Sequence, residues 1–128
     1  VIPRGQGETI LVVEDEECIL RSTSALLTGL GYTVLSASRP AEAIRLAHAV
    51  PGGVHLLLTD VVMPELSGEE LAQLLCTFYP ALHCLFMSGY TDSLLANDQD
   101  RVEGMCLRKP FTLEQLATKV HAVLHPQE

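Results

Sequence analysis

The chain has 128 residues, the size of one ordinary domain, and 48% of them are hydrophobic, enough for one core without disulfide or metal staples. Sixteen acidic residues against eight basic ones give a formal net charge of -8. That balance argues against a nucleic-acid-binding surface, which needs clustered Lys and Arg.

Residues Val1 to Gly7 carry Pro, Gly and polar side chains without periodicity and read as a linker or frayed tail, so the domain is placed at residues 8–126. Thr9 to Val13 is a short β-branched run suited to a buried strand, and it stops at the acidic cluster Glu14-Asp15-Glu16-Glu17. Ile19, Leu20, Thr23, Leu26, Leu27 and Leu30 recur at helical steps, with Gly29 and Gly31 as C-cap candidates. Tyr32 to Ala37 reads as a strand, Pro40 to Ala49 as a helix with Pro in its first turn, and Pro51-Gly52-Gly53 as a turn. Val54 to Thr59 is the most apolar strand and stops at Asp60. Ser67 to Phe78 is a helix with Ser67 as N-cap and Glu70 at capping-box spacing. His83 to Met87 is a strand stopping at Ser88-Gly89. The Asp-rich segment Thr91 to Glu103 predicts a short or poorly formed helix. Met105 to Arg108 is a last strand, followed by Lys109-Pro110, and Thr112 caps a final helix running to Leu124.

Five apolar strands alternating with five helices predict an α/β fold: a parallel sheet covered on both faces, doubly wound by right-handed crossovers. Ligands of such sheets bind beyond the carboxyl ends of the strands. Glu14, Asp15, Asp60, Ser88 and Lys109 all fall at those ends. Clustered carboxylates raise one another's pKa values unless a cation is present, and an oxygen-rich site suits Mg²⁺, which shares its ligands with phosphate. A carboxylate can take a phosphoryl group as an acyl phosphate, while a lysine and a hydroxyl neutralise the charge on the group in transfer.

Four segments carry a resemblance: Ile10 to Glu16, Leu56 to Pro64, Phe86 to Tyr90, and Lys109 to Thr112. In this order and spacing they resemble the response-regulator receiver family of two-component systems, over about residues 8–124. The resemblance implies a flavodoxin-like sheet in the order 2-1-3-4-5. It implies Asp60 as phosphoacceptor, and Glu14, Asp15, Asp60 and the Val62 backbone carbonyl as ligands of Mg²⁺ or Mn²⁺. Ser88 resembles the switch hydroxyl and Lys109 the lysine that pairs with the phosphoryl group; Met63, Pro64 and Gly68 fit the loop and helix start after the acceptor. The implied partner is a histidine kinase or a histidine phosphotransfer helix bundle, with no nucleic acid and no direct membrane contact.

One position departs from the pattern, because Cys106 stands where receivers carry Tyr or Phe, three residues before the lysine. Output through an aromatic switch on the last two helices is therefore in doubt, while the acceptor chemistry is untouched. Cys106 reads as a small buried filler rather than a redox sensor. By the resemblance, Val62 and Tyr90 fall at the positions where the family tunes hydrolysis of the acyl phosphate, and an apolar residue with a bulky one suggests slow loss.

Alternatives fit less well. A dinucleotide-binding domain needs a glycine-rich turn where Glu14 to Glu17 stand, and an Asp-nucleophile phosphatase needs an Asp-x-Asp motif there. Glu16 and Glu17 read as first-turn residues favouring the helix dipole. His121 and His125 share a helical face but read as solvated, and His48, His55 and His83 show no partner pattern. Cys18, Cys76, Cys84 and Cys106 form no C-x-x-C pair, and no run is long enough to span a membrane, so a cytoplasmic, reducing setting is expected, with any anchor elsewhere in the parent. The phrasing around Asp60 and Ser88 looks most like the receiver of a hybrid sensor histidine kinase. A stand-alone regulator and a phosphate-independent pseudo-receiver are the other readings. As an enzyme, the domain would do no more than assist its own phosphorylation and dephosphorylation.

Overall fold

A computed structural model describes residues 2–89 and 106–125. The expected helix at Thr91 to Glu103, the start of the last strand at Met105, and Tyr90 all lie outside them. The strands are β1 (Thr9–Val13), β2 (Thr33–Ala37), β3 (Leu56–Asp60), β4 (His83–Ser88) and β5 (Cys106–Arg108). The helices are α1 (Glu17–Gly29), α2 (Pro40–Ala49), α3 (Gly68–Phe78) and α4 (Leu113–Leu124). All four strand pairings are parallel and the order is β2-β1-β3-β4-β5, as the resemblance implies.

Period-two alternation along each strand divides the core into two layers. Ile10, Val12, Leu56, Leu58, Leu85 and Met87 face one side, where α1 and α4 add Leu20, Leu27, Leu116 and Val120. Leu11, Val13, Leu57 and Phe86 face the other, where α2 and α3 add Ala43, Ala47, Leu71 and Leu75. Burying each large side chain contributes roughly 1.5–3 kcal/mol, so the central strands are held from both faces and their carboxyl ends inherit that rigidity. No helix among the described residues is long and apolar enough to cross a membrane.

The caps follow local chemistry. Ser67 accepts from the Glu70 N–H while Glu70 accepts from the Ser67 N–H, the expected capping box, and Thr112 with Gln115 makes a second one. At the end of α1 the capping position is Leu30, and Gly31 follows with φ +102°, the left-handed conformation glycine favours. Gly29 belongs to the last turn of the helix instead of capping it, because the chain reverses only at Gly31. The N-terminal segment lies against this corner: the Gly5 N–H donates to Leu30 O at 2.7 Å and the Gly7 N–H to Gly31 O at 2.8 Å.

Three histidines have partners that the sequence does not reveal. The Thr9 N–H donates to His55 Nδ1 at 3.0 Å, His48 Nδ1 meets the Tyr79 hydroxyl, and His125 Nε2 lies 3.3 Å from Glu8 Oε2. All four cysteines are free, with Cys76 and Cys84 in sulfur contact at 3.8 Å.

Gly68 sets the distance between α3 and the end of β3. Its N–H donates to Val61 O at 2.8 Å, and a Cβ there would lie 1.9 Å from the Asp60 carbonyl oxygen. Neither backbone can yield without moving Asp60. Gly68→Ala is expected to cost about 1–3 kcal/mol, read as a lower urea midpoint; an unchanged midpoint would contradict the packing described.

Candidate functional site

Each side chain of the site stands at the end of a strand fixed by its neighbours. Glu14 follows β1, and its N–H donates to Ala37 O of β2 at 3.1 Å. Asp60 is the last residue of β3, one beyond the sequence-based boundary, and is in register with Met87 of β4. Ser88 ends β4, and the Lys109 N–H donates to Ser88 O at 2.8 Å, which ties the segment after β5 to the end of β4. Asp15 is exposed beside Glu14, and the Val62 side chain is 57% exposed in the loop after β3. Glu16 sits at the N-cap of α1 without a side-chain cap bond of its own; its N–H donates to Glu14 Oε2 at 3.0 Å.

The electrostatics turn on two buried carboxyls and one ammonium. Glu14 and Asp60 are almost fully buried, and Lys109 Nζ lies 3.0 Å from Glu14 Oε1 and 2.8 Å from Asp60 Oδ1. The contact to Glu14 is a hydrogen bond. The contact to Asp60 is a charge contact without hydrogen-bond alignment, so the buried Asp60 Oδ1 has no hydrogen-bond partner. Burial, and then the adjacent Glu14 carboxylate, push the Asp60 carboxyl up from 3.8 to about 8, against the pull of Lys109. Burial also works to raise Glu14, but hydrogen bonds from Asp60, Lys109 and the Glu16 N–H outweigh it and hold Glu14 below the usual range. Burial likewise opposes the Lys109 charge, and the two carboxyls overcome it and raise its pKa. Without a cation the two carboxyls share one proton up to about pH 8, held on the Asp60 side by its greater desolvation.

This arrangement fits a metal ion. Glu14, Asp15 and Asp60 each offer a carboxylate oxygen within 4.8 Å of the others, and theirs is the one group of its kind among the described residues. The orphaned Asp60 Oδ1 is a hard oxygen already stripped of water. The other sequence-predicted residues divide. Lys109 joins the carboxyls directly, whereas the Ser88 hydroxyl is turned to Cys106 Sγ, 3.2 Å away across the β4–β5 pair. The sequence does not announce that contact: half-buried Cys106 is in register with Phe86, two residues before Ser88, so the two side chains meet diagonally on one face of the sheet.

The proton on Asp60 has a consequence for stability. Its folded-state value lies above the unfolded one, so stability is lost as pH rises from about 4 to about 8. Without divalent cation near pH 8, Asp60→Asn is expected to be about 1–2 kcal/mol more stable than the parent, roughly 4–10 °C in Tm, with the gain fading toward pH 4. A variant no more stable than the parent at pH 8 would show that Asp60 carries no such burden.

The comparisons with known proteins fit this geometry. Residues 10–121 match the model of the response regulator receiver domain family. Sensor kinase CckA of Brucella abortus is 37% identical over 122 residues, which cover 94% of this chain but 13% of that protein. The response regulator receiver protein CpdR of the same organism is 34% identical over 116 residues, covering 90% of this chain and 95% of that one. Among solved structures, a receiver domain from hybrid histidine kinase CckA superimposes with a TM-score of 0.74 at 28% identity, covering 91% of this chain and 99% of that one. A receiver domain protein from Clostridium thermocellum gives 0.79 at 28% identity, with 91% and 94% covered. With four parallel pairings in the receiver order and the family model matched along most of its length, the chain belongs to the response regulator receiver domains of two-component signalling.

Proposed function

We propose that Asp60 is the phosphoacceptor of a phosphorelay and takes its phosphoryl group from a phosphohistidine on a histidine kinase or a histidine phosphotransfer helix bundle. The observation that carries this is the buried Asp60 Oδ1, with no hydrogen-bond partner and the Lys109 ammonium at 2.8 Å. An Asp60 oxygen forms the new O–P bond as the N–P bond of the phosphoimidazole breaks. The imidazole leaves with the bonding electron pair and takes up a proton. Lys109 faces the developing charge on the phosphoryl oxygens, and Ser88 supplies a hydroxyl donor to one of them.

Glu14, Asp15, Asp60 and the Val62 carbonyl would hold Mg²⁺ or Mn²⁺, with Lys109 released from Glu14 to the phosphoryl group. Such an ion supplies the positive charge that ionises Asp60 and screens the incoming phosphate. Phosphorylation then biases two arrangements of the loop around Ser88. The complete acidic set argues against a phosphate-independent pseudo-receiver, and the net charge of -8 against a nucleic-acid partner.

The parent we favour is a hybrid sensor histidine kinase in the cytoplasm or anchored to a membrane through another segment, supported by the likeness to CckA in sequence and in fold. A stand-alone regulator is the second reading, supported by the likeness to CpdR along nearly all of that protein.

Intact-mass spectrometry after incubation with acetyl phosphate tests the chemistry. One phosphoryl adduct that needs Mg²⁺ is expected, absent in Asp60→Asn and formed about 10–100-fold more slowly in Lys109→Met. An adduct that survives Asp60→Asn would overturn the assignment.

A further inference from the structure

The Ser88 hydroxyl is occupied before any phosphoryl group arrives. Ser88 ends β4, Cys106 begins β5, and their side chains meet at 3.2 Å. Ser88 is 6% exposed and Cys106 is half-buried, so the contact is partly shielded from water. At the end of the neighbouring strand, Asp60 Oδ1 is buried with the Lys109 ammonium 2.8 Å away. Either atom of the Ser88–Cys106 pair could be the donor, and a hydroxyl donates more strongly than a thiol while sulfur is the weaker acceptor.

We propose that Cys106 is a positioning residue whose sulfur accepts the Ser88 O–H and parks it on the β5 side until phosphoryl oxygens on Asp60 compete for it. The inference rests on Asp60 being the phosphoacceptor and Ser88 its hydroxyl donor. The weakness of the sulfur bond is the working feature. It fixes one rotamer of Ser88 in the resting domain, yet a charged phosphoryl oxygen displaces it at little cost. A hydroxyl in place of the thiol would hold Ser88 more firmly, and a methyl group would not hold it at all.

The test compares the rate of adduct formation from acetyl phosphate with Mg²⁺ in wild type, Cys106→Ala and Cys106→Ser, each with Ser88 intact and with Ser88→Ala. Cys106→Ala is expected to react about three- to tenfold faster than wild type, and Cys106→Ser slower by a similar factor. Both substitutions shrink the side chain, so a packing effect alone would move both rates in one direction, with parallel losses in Tm. With Ser88→Ala, the effects of both Cys106 substitutions are expected to vanish. Equal rates in all three proteins, shifts in the same direction, or shifts that persist in Ser88→Ala would overturn the latch while leaving Asp60 as acceptor. No adduct on wild type would remove the reading of Asp60, and the latch with it.

Discussion

Two buried carboxyls and one partly exposed ammonium at the ends of three parallel strands set the terms for the rest of this molecule. Neither Glu14 nor Asp60 could remain charged in such a place without Lys109, and Lys109 cannot neutralise both. Burial and Glu14 therefore raise the Asp60 carboxyl, and with Asp15 beside them the clustered carboxyls favour an added positive charge. A domain selected for stability alone would have no use for this arrangement. It becomes useful when a cation or a phosphoryl group completes it.

The packing exists to hold that unfavourable arrangement in place. β1, β3 and β4 are buried on both faces, so their ends cannot drift to relieve the crowding. The short bond from Gly68 to Val61 presses α3 against the Asp60 backbone, and the bond from Lys109 to Ser88 ties the lysine's segment to β4. The ends of β3 and β4 are also the places where the loops begin, so a charge change at Asp60 is felt where the chain is least constrained by the sheet. The Ser88–Cys106 contact sits on that same edge.

Much of this was legible in the sequence. The strand cores, the α3 capping box and the convergence of Glu14, Asp15, Asp60, Ser88 and Lys109 follow from apolar runs, cap spacing and the rule that parallel strands present their carboxyl ends to one edge. What stayed hidden depends on distance across the fold. Asp60 reads as a residue after its strand, but pairing with Met87 makes it the last one within it. Gly29 and Gly31 look alike as caps, and only the reversal at Gly31 separates them. The bonds of His55 to Thr9 and of Ser88 to Cys106 join residues far apart in sequence, and no periodicity announces them. The unequal fates of Glu14 and Asp60 are likewise set in three dimensions: burial raises both, and hydrogen bonds from Asp60, Lys109 and the Glu16 N–H outweigh it at Glu14 but Lys109 does not outweigh it at Asp60.

The most direct measurement is a carbon NMR titration of the Asp60 side-chain carboxyl in the metal-free domain, assigned by comparison with Asp60→Asn. A midpoint near 8 is expected, falling below neutrality when Mg²⁺ is added, with Glu14 titrating below the usual carboxylate range. An Asp60 midpoint close to 3.8 in the metal-free domain would contradict it, because the site would then hold two stable carboxylates and no stored demand for positive charge.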